Sequence, residues 1–305
     1  GDLIMNNTRK KLYTEWWFWG ALIFLVASVY FILNIDNFTT GTFDAEAGIN
    51  PYTREIGSGT RSAFTEVTGL VDKNDDDNIS PTVTVQNSTN AITQTVSSDP
   101  HSISYISLGS LNDSVKALSV DGTEPTRDAI REGDYQLVRE FSMVYGKELS
   151  ETAQDFWNFM FSAQAQAIVE EAGFVAVDVN APEYESSDLS GSIMIVGSTS
   201  VEPVVQLFSE EYRKYNPNVT IDITSPGSGA GITTAIEGSA DLGMTSRATT
   251  EEENAQLIES KAIAIDGIVM IANNQNPIED ITYSDIRHIF MSEYDTNITW
   301  KHILK

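Results

Sequence analysis

The chain has 305 residues, enough for one large or two medium-sized domains. Its 44 acidic residues exceed its 18 Lys and Arg residues, which gives a formal net charge of −26 at pH 7. This excess excludes the basic surface that nucleic-acid binding requires, and it argues against docking on anionic lipid. Cysteine is absent, so the chain has neither disulfide bonds nor a lipidated cysteine.

The N-terminal region predicts a membrane anchor. Residues 16–35 carry no charge, and about 20 apolar residues suffice to cross a bilayer core of about 30 Å. A cleaved signal peptide is the alternative, but the apolar run is long for one and no site of small residues follows it. Because an Arg-Lys-Lys cluster precedes the run and Asp36 follows it, we expect a single-pass protein of the cell membrane. Residues 1–15 would lie in the cytoplasm and all later residues outside it.

Three short segments rich in glycine and hydroxyl residues each follow a predicted strand or extended segment and begin a predicted helix. They are Gly-Ser-Gly-Thr at 57–60, Gly-Ser-Thr-Ser at 197–200 and Gly-Ser-Gly-Ala-Gly at 227–231. The free backbone N–H groups of a helix N-terminus, together with hydroxyls, suit a small oxyanion. A single Gly-Ser-Gly is ordinary turn chemistry. Three such segments in one chain favour anion binding.

In chain order, a polar stalk over residues 36–50 leads into a first region of mixed helices and strands. Its predicted elements are helices at 62–70, 91–97 and 150–173 and strands at 103–108 and 174–177. Residues 178–191 are polar and lack periodicity, so they form the best linker candidate. The second region alternates a strand at 192–197, a helix at 201–215, a strand at 219–224, a helix through Ile236 and a strand at 241–244. This alternation predicts a parallel sheet with crossover helices, whose ligands bind beyond the carboxyl ends of the strands.

Several of these segments resemble the phosphate-binding proteins of phosphate ABC transporters. Residues 197–203, 227–231, 241–247, 285–290 and 298–300 resemble the N-terminal half of that family, and residues 53–64, 86–91, 103–110 and 150–177 resemble its C-terminal half. The resemblance implies a two-lobed α/β fold of the periplasmic-binding-protein superfamily, type II. It also implies a protein without catalysis or cofactor that binds inorganic phosphate and serves the permease of an ABC importer.

The two halves stand in the opposite order to that family. Residues 51–177 correspond to its C-terminal half, residues 178–191 to a linker, and residues 192–305 to its N-terminal half. Circular permutation of one complete module is one explanation, since chain termini often lie close together. The others are a fragment of a tandem array and halves exchanged between two chains. We favour one complete module within the chain.

The resemblance also implies a set of phosphate ligands. These are Arg54 as the main cation, with Ser58, Gly59, Thr60, Thr199, Ser200, Ser228, Ser246 and Arg247. Ser246 stands where some relatives carry an aspartate that accepts a proton from bound phosphate. The choice between phosphate and sulfate is therefore left to Arg54, the hydroxyls and Glu55.

Three other functions compete with phosphate uptake. A hydrolase would use a Ser or Thr nucleophile, but it needs a base, and His101, His288 and His302 lie outside every glycine motif. A surface-anchored sensor or adhesin would use the same fold without transport. A binder of another oxyanion such as sulfate would use the same site. No metal site is expected.

Overall fold

The structure, a computed structural model, describes residues 42–72, 76–186, 188–291 and 298–304. The predicted membrane anchor at 16–35 lies outside these residues. Within the described ranges, no helix combines the length and the apolar character that crossing a bilayer requires.

Strands and helices alternate along most of the described chain. The strands are β1 (Asn50–Arg54), β2 (Thr84–Gln86), β3 (Ser102–Ser107), β4 (Lys116–Ala117), β5 (Ser119–Val120), β6 (Val138–Tyr145), β7 (Val175–Ala176), β8 (Ser190–Gly197), β9 (Asn218–Thr224), β10 (Leu242–Thr245), β11 (Glu259–Ala272) and β12 (Asp280–Ile281). The helices are α1 (Gly59–Thr68), α2 (Thr89–Ser98), α3 (Arg127–Glu132), α4 (Glu151–Met160), α5 (Ala163–Glu171), α6 (Glu202–Tyr215), α7 (Ser228–Glu237), α8 (Glu251–Asn254), α9 (Tyr283–Phe290) and α10 (Trp300–Ile303). A single 3-10 turn, Leu108–Ser110, follows β3.

One sheet of ten of these strands runs through the molecule. Its main path is β2-β1-β3-β11-β6-β10-β8-β9, and β4 and β7 pair with β11. The strands are parallel at both ends of the path, where β1 pairs with β2 and β3, and β8 pairs with β9 and β10. In the middle, β6 and β11 run antiparallel to their neighbours. The parallel arrangement predicted for the second region is therefore confirmed by β8, β9 and β10, whereas the antiparallel strands β6 and β11 at the centre of the sheet were not predicted.

Two separate hydrophobic cores define two lobes. The core of the first lobe is built mainly from residues 43–137 and 268–304, and it includes Phe64 and Trp300. The core of the second lobe is built mainly from residues 141–264, and it includes Phe156. Each lobe thus takes residues from both predicted halves of the chain.

The chain passes between the lobes in two neighbouring strands. In β11, Ala264 packs in the second core, whereas Ile268 packs in the first. Leu137, just before β6, packs in the first core, and Phe141 within β6 packs in the second. Two adjacent crossings between packed lobes are the usual construction of a hinge that closes over a ligand.

Two local features differ from the sequence predictions. The helix predicted over 150–173 is two helices, α4 and α5, because Ser162 caps α5 by accepting a hydrogen bond from the backbone N–H of Ala165. The linker predicted over 178–191 ends earlier, since β8 already begins at Ser190. Part of it is fastened to the second lobe, where the Tyr184 hydroxyl donates to Asp155 Oδ2 at 2.6 Å.

Candidate functional site

Four helix N-termini lie where the two lobes meet. In the first lobe, α1 begins directly after the Gly57 turn, whose φ of +91° suits glycine, and Ser58 caps it by accepting from the Arg61 N–H. α2 also belongs to the first lobe. In the second lobe, the turns at Gly197 and Gly227 lead into α6 and α7. Each N-terminus carries unpaired N–H groups and a partial positive charge.

Hydroxyl side chains from these four turns, together with Ser246 directly after β10, form what we call the hydroxyl cluster. Its members are Thr60, Thr89, Ser198, Thr199, Ser200, Ser228 and Ser246. Three of its contacts cross between the lobes: Thr60 Oγ1 lies 3.0 Å from Ser200 Oγ, and Thr89 Oγ1 lies 3.2 Å from both Ser200 Oγ and Thr199 Oγ1. A backbone bond also crosses, from the Gly229 N–H to the Gly57 carbonyl at 3.1 Å. The lobes are therefore closed on each other in this conformation.

The remaining hydroxyls of the cluster are bonded within the second lobe. Ser198 Oγ donates to Ser246 Oγ at 2.9 Å, and Ser246 N donates to Ser228 Oγ at 3.1 Å. Gly59 of the first lobe closes against this group. A Cβ at Gly59 would lie 2.4 Å from Ser228 Oγ and 2.6 Å from Ser246 Oγ. Only glycine lets the α1 N-terminus approach this closely.

Arg54 supplies the positive charge beside the cluster. It lies at the end of β1, and its side chain is 2% exposed. Its Nε and Nη2 donate to the two carboxylate oxygens of Glu55, and its Nη1 donates to Thr89 Oγ1 at 3.2 Å. Its backbone carbonyl accepts from Arg61 Nη1. The guanidinium is therefore held in one orientation against a hydroxyl of the cluster.

Tyr105 contacts the segment of β1 that carries this arginine, since its hydroxyl accepts from the Arg54 backbone N–H. Its ring stacks on Phe64 with a centroid separation of 3.7 Å, and its hydroxyl lies 2.6 Å from Thr53 Oγ1. Burial raises the pKa of Tyr105 to about 12. The phenol consequently stays neutral and serves as a hydrogen-bonding partner for β1.

The structure brings together eight of the nine residues that the sequence predicted. Ser58, Gly59, Thr60, Thr199, Ser200, Ser228, Ser246 and Arg54 all lie in or beside the cluster. Arg247 is the exception. Its guanidinium donates to both carboxylate oxygens of Glu253 and to the Ala248 carbonyl, and its hydrogen bond lowers the pKa of Glu253. The backbone turns after Ser246, so adjacency in sequence does not place Arg247 at the cluster.

Two members of the cluster were missed by the sequence reasoning. Thr89 follows Ser88, which caps α2 by accepting from the Ala91 N–H, so a capping signal in the segment 86–91 marked it. Ser198 lies inside the segment 197–200 that was singled out. In both cases the sequence marked the segment, but it did not predict that the side chain points toward the cluster.

The described members of the cluster offer hydrogen-bond donors, and no histidine is among them. The described hydrogen bonds of His101, His288 and His302 include those to Asp44, Ser284 and Thr299. None of these contacts reaches the hydroxyl cluster. The geometry is suited to holding an anion rather than to activating a nucleophile.

A polar groove adjoins the cluster. It has a volume of about 580 Å³ and is lined from both lobes, including Thr89 and Thr199 of the cluster with Asn87, Asn112 and Gln206. Since two cluster hydroxyls form part of its wall, the groove connects the cluster with the surface.

Comparison with known proteins gives consistent matches. The family model described as "PBP superfamily domain" matches residues 35–164 and 182–302. Phosphate-binding protein PstS 2 of Streptococcus pneumoniae serotype 4 is 44% identical over 255 residues, which are 83% of this chain and 87% of that protein. Phosphate-binding protein PstS of Pseudomonas aeruginosa is 32% identical over 124 residues, which are 38% of each chain.

A solved structure matches over the same extent. The phosphate-binding protein of a phosphate ABC transporter from Streptococcus pneumoniae TIGR4 is 43% identical with a TM-score of 0.67, and the match covers 84% of this chain and all of that one. The expected two-lobed α/β fold is thereby confirmed. Because these relatives are binding components of transporters, the prediction that the protein is not an enzyme is confirmed as well. The chain belongs to the periplasmic-binding-protein superfamily and, within it, to the family of the phosphate-binding proteins PstS.

Proposed function

We propose that this protein binds inorganic phosphate outside the cytoplasm and delivers it to the permease of an ABC importer. The observation that carries the proposal is the meeting of hydroxyls and helix N-termini from both lobes beside one buried arginine, Arg54, which donates to Thr89. Two relatives that are 44% and 43% identical over more than four fifths of the chain are phosphate-binding proteins, which supports the same ligand.

The physical chemistry of the site fits a tetrahedral dianion. Hydrogen bonds to a charged acceptor are about twice as strong as neutral ones, and each helix N-terminus adds a partial positive charge. The net charge of −26 opposes the approach of an anion. Binding therefore rests on short-range hydrogen bonds, and we expect its affinity to depend only modestly on salt concentration.

The proposed ligands are the predicted residues that the fold brings together. They are Arg54, Ser58, Gly59, Thr60, Thr199, Ser200, Ser228 and Ser246, to which the geometry adds Thr89. Arg247 is left out of this set, because Glu253 already holds its guanidinium.

We further infer that the chain is circularly permuted relative to PstS proteins such as that of Pseudomonas aeruginosa. An alignment confined to 38% of each chain is expected when only one half aligns in order, whereas the 255 residues aligned with PstS 2 indicate a shared order. The segment that leads into the first half also lies against the end of the second half. Ile49 N donates to the Ile298 carbonyl at 3.2 Å, and Lys301 N donates to the Ala45 carbonyl at 2.8 Å.

A rearranged chain tests the permutation. Residues 192–304 would be joined by a short linker to residues 44–177, which restores the order of the wider family. Folding with unchanged phosphate affinity supports one complete module per chain. Failure to bind phosphate, or binding only as a dimer, contradicts it.

The membrane anchor at residues 16–35 remains part of the proposal. It rests on the uncharged apolar run and on the basic residues before it. Membranes washed with alkaline carbonate should retain the full chain and release a variant that lacks residues 1–41. Release of both would contradict anchoring.

Calorimetric titration of phosphate into the ligand-free full chain, with its mass in solution measured alongside, tests the central proposal. We expect 1:1 binding by the wild-type monomer and no measurable binding by Arg54→Ala, because that variant lacks the cation at the cluster. Arg213→Ala, which removes an exposed arginine of α6, is the matched control and should bind normally. Binding that survives Arg54→Ala refutes the site. Absence of binding in the wild type would favour a sensor or adhesin.

A further inference from the structure

Arg139 leaves hydrogen-bond donors unused inside the protein. Its side chain is 3% exposed, and its Nε donates to Asp266 Oδ2 at 3.0 Å. Within the described part of the chain, neither Nη1 nor Nη2 has an aligned acceptor, although Nη2 lies 2.9 Å from the same carboxylate oxygen. A guanidinium can only donate, and buried donors without a partner in a native protein call for a water or a ligand.

Strand register places this ion pair at the floor of the cleft on the side of the first lobe. β1 runs parallel to β3 with Asn50 opposite Ser102, so the same register puts Glu55 level with Ser107. Ser107 Oγ donates to Asp266 Oδ1 at 2.8 Å. Asp266 therefore lies at the carboxyl ends of these parallel strands, which is where ligands of such sheets bind.

The register in the second lobe leads to the same place. β10 runs antiparallel to β6 with Thr245 opposite Ser142, which puts Ser246 of the hydroxyl cluster level with Phe141. Arg139 lies beyond this level, toward the start of β6, and its guanidinium carbon is 5.1 Å from the centre of the Phe141 ring. Arg139 therefore lies past the carboxyl end of β10, as the cluster does.

The sheet face that carries Arg139 also carries the helices α1 and α6, since alternate residues of a strand share one face. In the second lobe, this face packs in one core with α6. In the first lobe it continues to Tyr105, whose ring stacks on Phe64 of α1. The N-termini of the two helices meet where Thr60 Oγ1 lies 3.0 Å from Ser200 Oγ. Arg139 thus belongs to the floor beneath this meeting point.

The charges at this floor favour an anion. Burial is the largest influence on the pKa of Arg139 and lowers it, Asp266 opposes this effect, and the positive charge of Arg54 lowers the pKa further. Each of the two arginines has a carboxylate partner, Glu55 for Arg54 and Asp266 for Arg139. An anion near both guanidiniums relieves their repulsion and accepts from the nitrogens that Arg139 leaves unused.

We propose that Arg139 is a second cationic ligand of the bound anion, to which its Nη1 and Nη2 donate from the floor of the cleft. This inference rests on the proposed phosphate function, and it adds to the site a residue of the hinge strand β6. The anion thereby contacts the hinge itself as well as the helix N-termini of the two lobes.

The double variant Arg139→Met/Asp266→Asn tests this role, because it removes the donors without leaving a buried charge unpaired. Inorganic phosphate is titrated calorimetrically into the full chain below its unfolding midpoint. We expect binding about 10- to 100-fold weaker than in the wild type, the usual loss for a hydrogen bond to a charged group. Lys214→Met/Glu211→Gln, which removes an exposed ion pair of α6, is the matched control and should bind like the wild type.

Asp266→Asn alone separates a ligand from a purely structural residue. This variant keeps the donors of Arg139 and removes the negative charge beside them, so phosphate should bind several-fold more tightly although the fold is less stable. A structural ion pair would instead weaken binding in step with stability.

Wild-type affinity in the double variant, or equal weakening in Asp266→Asn and the double variant, overturns the proposal. If Asp266→Asn fails to fold, the double variant decides alone. Either of these refuting results leaves the proposed function intact, because the wild type still binds phosphate. Absence of phosphate binding by the wild type refutes both.

Discussion

Arg139 and Asp266 form a buried ion pair at the point where the chain crosses between the lobes. They face each other across β6 and β11, with side chains 3% and 0% exposed. Arg139 Nε donates to Asp266 Oδ2 at 3.0 Å, and Asp266 Oδ1 accepts from Ser107 Oγ at 2.8 Å and from Leu108 N at 3.1 Å. Among the described residues, the two terminal nitrogens of Arg139 have no aligned hydrogen-bond acceptor, although Nη2 lies 2.9 Å from Asp266 Oδ2.

Replacing Arg139 by Met removes one partner and leaves a buried carboxylate. Such a change usually lowers the free energy of unfolding by about 3–5 kcal/mol. Ser107 and Leu108 still donate to Asp266 Oδ1 in the variant. We therefore expect the free energy of unfolding to fall by an amount near the lower end of this range, about 3 kcal/mol. At about 2–4 °C per kcal/mol for a protein of this size, the melting temperature should fall by about 6–12 °C.

The loss should depend on pH. Burial raises the pKa of Asp266, and the charge of Arg139 is the main opposing influence. Without Arg139 the pKa rises further, so the folded variant takes up a proton before the unfolded chain does as the pH falls. The deficit of the variant should therefore be full above the folded-state pKa of Asp266 in the variant. It should shrink as the pH falls from that pKa to the lower, though still raised, pKa of Asp266 in the wild type.

Thermal and urea unfolding of Arg139→Met, Asp266→Asn and the double variant would measure these quantities. The double variant should recover most of the loss, because a neutral amide oxygen still accepts from Ser107 and Leu108. Lys214→Met, which breaks an exposed ion pair with Glu211, is the control and should not change the midpoint. A loss below about 1 kcal/mol for Arg139→Met, as for a surface pair, would refute the reasoning. A double variant as unstable as the single one would refute it too.

Three further predictions concern single side chains. Ser228→Ala should weaken phosphate binding by about 1–3 kcal/mol in calorimetry, since one hydrogen bond to a charged ligand is lost; an unchanged affinity would place the anion elsewhere. Gly197→Ala should lower the free energy of unfolding by about 3 kcal/mol or more, because its φ is +152° and its Cβ would lie 2.1 Å from a β10 carbonyl oxygen. Gly48→Ala, which meets no atom within 4 Å, is its control, and equal melting temperatures would contradict the expectation. Arg247→Gln should leave phosphate affinity unchanged but lower the free energy of unfolding. Arg247 lowers the pKa of Glu253 in the folded protein, so their interaction stabilises the fold above the pKa of an unfolded carboxyl group. This stabilisation is lost as the pH falls through the folded-state pKa of Glu253. Weaker phosphate binding by this variant would return Arg247 to the site.

Local signals in the sequence were sufficient to predict where the turns and helices of the site begin. Ser58 and Ser88 are capping residues, and each accepts from the backbone N–H three residues later. The glycines at 57, 197 and 227 all have positive φ, as a turn from an extended segment into a helix requires. These features depend on neighbouring residues alone, so the positions of the helix N-termini at the candidate site were predictable.

The tertiary structure decided which of these groups meet. Thr60 and Ser200 are 140 residues apart in the chain, yet their hydroxyls touch, and this contact depends on how two lobes close. The strands β6 and β11, which carry the chain between the lobes, escaped the sequence reasoning because β11 is buried in two different cores along its length. Arg247 is the opposite case. The sequence predicted it at the site, but the path of the backbone after β10 pairs it with Glu253 instead. By itself, the sequence determined the chemistry of each turn, because capping and backbone conformation are local. Only the packing of the lobes determined which of these donors come together, because side-chain direction across a closed cleft is a long-range property.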